Sequence, residues 1–216
     1  MYPAGNLVIT APHGQLEAIL KQPRVMPARG VALVLHPHPL GGGTMHNKVV
    51  FRAASALNDA GLVALRINFR GVGQSSGTYD DGRGELDDVR TALDYLSKNY
   101  PGQPLTICGF SFGTRMGLEV GVPDDRVSNL ISIGTPVDKY DFSFLTTCRK
   151  PILFVHGSQD EFGNEARLRT LFDEVAKNAP AQLAIIEGAD HFFAGHLEEL
   201  RSAITDWIGP QSRGLV

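Results

Sequence analysis

Leu105-Thr106-Ile107-Cys108-Gly109-Phe110-Ser111-Phe112-Gly113 is the stretch on which the reading of this chain turns. Leu105 to Phe110 has the apolar character of a buried strand, and Phe112 to Val120 that of a short helix. Between them, residues 109–113 fit G-x-S-x-G, for which composition alone gives about 0.13 chance matches in this chain. The setting makes the pattern specific: a serine between strand and helix stands on a sharp turn that lifts its hydroxyl clear of the sheet. Such a turn brings backbone so close that Cβ atoms at positions 109 and 113 would clash, and glycine relieves the crowding. The turn also sets Ser111 at a helix N-terminus, where unpaired N–H groups and the dipole favour developing negative charge.

The same alternation of strand and helix extends outward on both sides. Upstream, Val31 to Leu35 reads as a strand, Lys48 to Ala60 as a helix with Val49, Ala53 and Leu57 on one face, and Leu62 to Phe69 as a strand. Glu85 to Asn99 carries Leu86, Val89, Leu93 and Leu96 at helical spacing. Downstream come strands Val127 to Ile133, Ile152 to His156 and Leu183 to Glu187, a helix around Leu168 to Val175, and a last helix from Leu197 to Ile208. Nearly continuous apolar strands imply a parallel sheet covered by helices on both faces. At the start, Leu7 to Thr10 and Gln15 to Leu20 flank Pro12-His13-Gly14, the pattern of an antiparallel hairpin on one sheet edge. The expectation is one α/β domain over residues 1–216, with a mostly parallel sheet of about eight strands.

Composition narrows the function. The chain has 216 residues, 43% hydrophobic and 20% charged, with 20 Lys+Arg against 23 Asp+Glu. That is enough for a sizeable core without staples and offers no basic footprint for nucleic acid or an anionic membrane. Cys108 and Cys148 fit neither a disulfide framework nor a C-x-x-C pair. Met1 to Gly14 lacks the basic and apolar regions of a secretion signal, and no stretch approaches a membrane span, so a cytoplasmic location is expected.

A serine hydroxyl is a weak nucleophile at neutral pH and needs a base, itself oriented by a carboxylate. Two later loops offer them. His156-Gly157-Ser158-Gln159-Asp160 follows a strand with an acid, and Gly188-Ala189-Asp190-His191 follows the last strand with an imidazole. Ser111, Asp160 and His191 thus lie beyond the C-terminal ends of strands, on the edge where α/β sheets gather their sites. Glu161 is the competing acid and His196 the competing base.

Acyl transfer also needs two converging N–H donors: Phe112, the residue after the nucleophile, and one from the loop after Val31 to Leu35. That loop is His36-Pro37-His38-Pro39-Leu40-Gly41-Gly42-Gly43. Its prolines cannot donate, which leaves Leu40, with Gly41 as an alternative. No metal or other cofactor is expected. His36, His38 and His46 lack an acidic or thiolate companion and read as loop-shaping hydrogen bonders. A dinucleotide site at Gly71-Val72-Gly73-Gln74-Ser75-Ser76-Gly77 is disfavoured, because Thr78 to Gly84 intervenes before the helix that should hold a pyrophosphate. A mobile surface loop is expected there. A catalytically dead binding module on the same scaffold would need no nucleophile, acid and base together.

Together these residues resemble the α/β-hydrolase superfamily over essentially the whole chain. More narrowly, His36-Pro37-His38-Pro39 with Gly41-Gly42-Gly43-Thr44-Met45, and Asn68-Phe69-Arg70-Gly71-Val72-Gly73-Gln74-Ser75, resemble the small bacterial dienelactone-hydrolase-like serine hydrolases. The resemblance implies a Ser111–His191–Asp160 triad with Leu40 and Phe112 as oxyanion donors. It departs from dienelactone hydrolases proper in having serine where they use cysteine, which points to a carboxylic-ester hydrolase acting on a small-molecule ester; a thioesterase or other acyl hydrolase would use the same triad. Only Thr135 to Pro151 separates the strands where lidded relatives insert a cap. The expectation is a lidless, open site, with Phe142, Phe144 and Leu145 either packed beneath this connection or exposed as one wall of an acyl pocket.

Overall fold

A computed structural model describes residues 5–24 and 26–211 of the chain; residues 1–4 and 212–216 of the expected 1–216 domain lie outside the described residues. Side chains alternate across a strand, and in β3 (Gly30–Leu35) both alternating sets are apolar. Val31, Leu33 and Leu35 join one core cluster, and Val34 and Ala32 the other. The same holds for β5 (Leu105–Phe110), where Ile107 faces one way and Cys108 and Phe110 the other. A strand buried on both faces needs helices above and below it.

The remaining described strands are β1 (Gly5–Ala11), β2 (Gly14–Lys21), β4 (Leu62–Ile67), β6 (Val127–Ile133), β7 (Ile152–Gly157) and β8 (Ala181–Ile186). The sheet order is β1-β2-β4-β3-β5-β6-β7-β8. Pairs from β4 to β8 are parallel, while β1–β2 and β2–β4 are antiparallel, so the N-terminal hairpin is appended as expected. Helices α1 (Lys48–Asp59) and α5 (Leu197–Gln211) cover one face; α2 (Arg83–Asn99), α3 (Phe112–Gly121) and α4 (Glu165–Ala176) cover the other. Ala32 and Ala64 on the sheet and Ala53 and Ala56 of α1 belong to one buried cluster, small residues that let helix and sheet approach closely. No helix among the described residues is long and apolar enough to cross a membrane.

Two connections matter for the site. Between β6 and β7 a single 3-10 turn, Ser143–Thr147, is formed. Phe142 and Leu145 are buried beneath it in the core, and Phe144 lies under the Arg115 guanidinium at 4.8 Å, so the aromatic cluster packs under the connection. The glycine loop after β4 lies at the surface, as expected from sequence, and is hydrogen-bonded to β2. Ser75 Oγ donates to Asn68 O at 2.8 Å and accepts from Glu17 N–H at 2.9 Å, and the Glu17 carboxylate accepts from Gln74 N–H and Asn68 Nδ2. These bonds staple it to β2, and residues 68–82 contain no helix for a phosphate to cap.

His36, just past β3, ties this end of the sheet together. Its buried ring accepts from Phe69 N–H at Nε2 (3.0 Å) and donates from Nδ1 to Pro37 O (2.7 Å). Burial pushes its pKa down from 6.5 to about 4, partly opposed by the bond to Pro37. The unfolded chain therefore takes up this proton before the folded one does. The contribution of the neutral ring is present above pH 6.5 and lost as pH falls toward 4. At about 1.4 kcal/mol per pKa unit it amounts to roughly 3 kcal/mol. His36→Gln keeps an acceptor for Phe69 N–H but cannot titrate. The gap in unfolding free energy between wild type and this variant should narrow as pH drops from 7 to 4; a gap independent of pH would contradict the assignment.

Candidate active site

The turn between β5 and α3 is held where the sequence requires it. Ser111 adopts φ 56°, ψ −118°, a conformation L residues seldom take and one held only by its surroundings. Those surroundings are explicit. Ser111 N–H donates to Ile133 O at 2.9 Å, and Thr114 Oγ1 donates to Gly109 O at 2.6 Å. A Cβ on Gly109 would lie 2.4 Å from Gly113 O, and one on Gly113 2.6 Å from His36 O. Both glycines are therefore demanded by contact.

The loops after β7 and β8 bring the other two groups to this turn. Ser111 Oγ lies 2.9 Å from His191 Nε2, and His191 Nδ1 lies 2.8 Å from Asp160 Oδ2. The Asp160 side chain is fully buried, and its Oδ1 accepts from the N–H groups of Phe162 (2.8 Å) and Gly163 (3.1 Å). That turn fixes the carboxylate, leaving Oδ2 to orient the imidazole. With Nδ1–H donating to the carboxylate, the Nε2 lone pair faces the serine. Gly157 makes the close approach of the two loops possible, since a Cβ there would meet Ala189 O at 2.3 Å.

The competing residues fall elsewhere. Glu161 accepts from the backbone N–H of His191 at 3.3 Å, not from its ring. His196 pairs with Glu199 at 3.3 Å. The His191 ring is walled by Phe162, Phe110 and Phe192, with centroids 4.6, 5.0 and 5.3 Å away.

A cavity of about 460 Å³ opens over Ser111 and His191. Pro136, Lys139 and Tyr140 from the β6–β7 connection form one side, Phe162 and Phe192 another, and His38 with Gly41 to Gly43 a third. Tyr140, Phe162 and Phe192 were not singled out from sequence. They come from three separate loops, and only the fold brings them together.

The oxyanion loop corrects the sequence reading. Phe112 is the first residue of α3, so its N–H has no intrahelical acceptor. Leu40, by contrast, sits in a 3-10 turn, Pro39–Gly41, that points its side chain into solvent (74% exposed) and out of the cavity. Its N–H donates to His38 Nδ1 at 3.2 Å, and the N–H of Gly41 donates to His38 O at 3.0 Å. Both donors considered from sequence are thus engaged. The backbone N–H of His38, a cavity residue, meets no acceptor among the described residues. Its ring is neutral in this arrangement: Nδ1 accepts from Leu40, Nε2–H donates to Tyr79 Oη at 3.1 Å, and burial lowers its pKa.

Comparison with known proteins agrees with the fold. Residues 30–202 match the model of the alpha/beta hydrolase domain family. The uncharacterized protein RP471 of Rickettsia prowazekii is 38% identical over 210 residues, covering 94% of this chain and 88% of that protein. An alpha-beta serine hydrolase homologue from Coxiella burnetii superposes with a TM-score of 0.90 at 36% identity, covering 95% of this chain and 99% of its own. XC6422 of Xanthomonas campestris, described as an a/b serine hydrolase without lid, gives a TM-score of 0.89 at 31% identity over 98% of this chain and 97% of its own. With the family model spanning most of its length and relatives above 30% identity along nearly all of it, the chain belongs to the α/β-hydrolase family and is a hydrolase.

Proposed function

We propose that the chain is a serine esterase that cleaves short-chain carboxylic esters through an acyl-enzyme intermediate. The observation that carries this reading is the hydrogen-bonded series Ser111–His191–Asp160 at the floor of an open cavity. Ser111 Oγ attacks the ester carbonyl carbon while its proton passes to His191 Nε2. The imidazolium so formed is stabilised by Asp160 through Nδ1–H. The carbonyl oxygen, now an oxyanion, takes hydrogen bonds from Phe112 N–H and a second donor, which we assign to His38 N–H instead of Leu40. Collapse expels the alkoxide, protonated by His191 as it leaves, and the acyl group remains on Ser111. Water then attacks the acyl carbonyl with His191 as base, and the carboxylic acid departs.

The dimensions of the cavity set the expected substrates. The β6–β7 connection contributes one 3-10 turn and no helix that could close over Ser111. Its aromatic pair Phe142 and Phe144 is taken up beneath the loop and gives no extended apolar groove. With p-nitrophenyl esters, kcat/KM should peak at short acyl chains, roughly C2 to C6, with no jump as substrate passes its solubility limit. Rates rising steadily to chains of about C12, or a sharp increase on emulsified triglyceride, would overturn the open-site reading. Absence of turnover with every activated ester would overturn the esterase reading.

A further inference from the structure

Asp160 is flanked by two imidazoles. His191 Nδ1–H donates to Oδ2 at 2.8 Å; on the other side His156, at the end of β7, brings Nδ1 to 3.7 Å from the same oxygen. His156 is fully buried. Its Nε2 faces Gly163 O at 2.7 Å, and because a carbonyl only accepts, the ring hydrogen sits on Nε2. Nδ1 is then a bare lone pair, and it is one of the few buried polar atoms without a hydrogen-bond partner among the described residues. An unsatisfied buried nitrogen beside a buried carboxylate calls for a reason.

We propose that His156 is a positioning residue for the Ser111–His191–Asp160 relay: uncharged, it anchors the turn that grips Asp160 and leaves Oδ2 to His191, and protonated at Nδ1 it draws Oδ2 away. This rests on the esterase reading above. The first role follows from connectivity. Gly163 receives the Nε2–H bond at its carbonyl and gives its own N–H to Asp160 Oδ1. The ring therefore braces the residue that holds the acid. There is little slack, because a Cβ on Gly163 would lie 2.9 Å from His156 Cε1 and 2.3 Å from Thr135 O.

The second role follows from the 3.7 Å gap. Two acceptors facing each other stay apart, but a proton on Nδ1 turns the pair into donor and carboxylate, and closing by less than ~1 Å makes a charge-assisted bond. Oδ2 would then be shared, its hold on the His191 ring would weaken, and a second positive charge would oppose the imidazolium that forms during attack. The groups facing His156 are the Asp160 carboxylate, the His191 ring, the Glu165 carboxylate at the start of α4 and the Gly163 carbonyl. Burial is the largest influence and lowers the pKa; Asp160, Gly163 and Glu165 oppose it, and His191 adds to it. The lone pair is thus kept at neutral pH and the proton arrives only in acid.

Two variants separate the roles. In His156→Gln the amide N–H stands in for Nε2–H, preserving the bond to Gly163 O, but nothing there titrates. Its kcat/KM for p-nitrophenyl acetate should stay within about twofold of wild type at pH 8. In acid, log(kcat/KM) of wild type should fall more steeply than that of the variant, by the one further proton that His156 takes up. In His156→Phe, which loses both functions, kcat should drop about tenfold at pH 8 with KM little changed. Equal acid slopes in wild type and His156→Gln would overturn the proposal. A measurement on wild type needs no variant to fold: as the His156 ring takes up its proton in acid, the resonance of the hydrogen-bonded His191 Nδ1 proton should shift with the same midpoint, and no shift at that midpoint would also overturn it. If no ester is hydrolysed at any pH the esterase reading fails, yet the ring titration still decides the role of His156.

Discussion

Ser111→Ala is expected to lower ester hydrolysis by roughly 10⁴- to 10⁶-fold in kcat, leaving only what cavity binding and oxyanion donors supply. The fold should survive, because the turn is held by Ser111 N–H to Ile133 O and Thr114 Oγ1 to Gly109 O, neither of which involves the hydroxyl. A fluorophosphonate should label wild type at residue 111 and leave the variant unlabelled. Backbone geometry adds a second readout. At φ 56° any side chain with a Cβ is strained, so Ser111→Gly should be as inactive as Ser111→Ala but more stable, by about 1 kcal/mol. Full activity in either variant would remove Ser111 from the mechanism. Inactivity with lost cooperativity of unfolding would instead make the residue structural.

Why this position was readable from sequence, and others were not, follows from the range of the forces involved. The need for glycine at 109 arises from Gly113 and Thr114, a few residues on, and is written locally, whereas that at 113 comes from Leu35 and His36 at the end of β3 and shows in sequence only through the G-x-S-x-G pattern. The strand β5 is legible to the residue because it is buried at every position, and β6 because Leu130, Ile131 and Ile133 at its buried end and Val127 at its start bound the run, although Ser128 is exposed. The loop after β3 shows the opposite case. Excluding Pro37 and Pro39 as donors left Leu40, but Pro39 directly after His38 is also the mark of a helical turn beginning, with proline at its first position and the preceding residue as cap. That turn occupies the N–H of Leu40 with His38 Nδ1 and turns residue 40 outward. The bonds that tie the glycine loop at 71–77 to β2 leave no local trace, because Glu17 and Gln15 lie more than fifty residues away in sequence. The cavity walls Tyr140, Phe162 and Phe192 carried no local signal at all, and their roles exist only after three loops meet.

The choice between Asp160 and Glu161 is of this long-range kind, and it sets the second large effect. Asp160→Asn should cost on the order of 10² to 10⁴ in kcat, and Glu161→Gln less than about tenfold. The asymmetry comes from what surrounds each carboxylate. Asp160 Oδ1 accepts from two N–H groups, so an asparagine must keep its carbonyl oxygen there and turn its NH2 toward His191 Nδ1. An NH2 can only donate, which drives the ring hydrogen to Nε2 and removes the lone pair that should take the serine proton. Rotating the amide restores an acceptor for His191 but sets NH2 against the N–H groups of Phe162 and Gly163, leaving buried donors unpaired at about 1–3 kcal/mol each. Neither orientation is productive. Glu161 contributes only Oε2 to the backbone N–H of His191, at 3.3 Å, and glutamine offers an oxygen for the same bond. Kinetics of both variants on p-nitrophenyl acetate, with unfolding curves to confirm that each is folded, measure the ranking directly. The reverse order, a severe loss at Glu161 and a mild one at Asp160, would transfer the orienting role to Glu161 and remove the basis for assigning His156 its part.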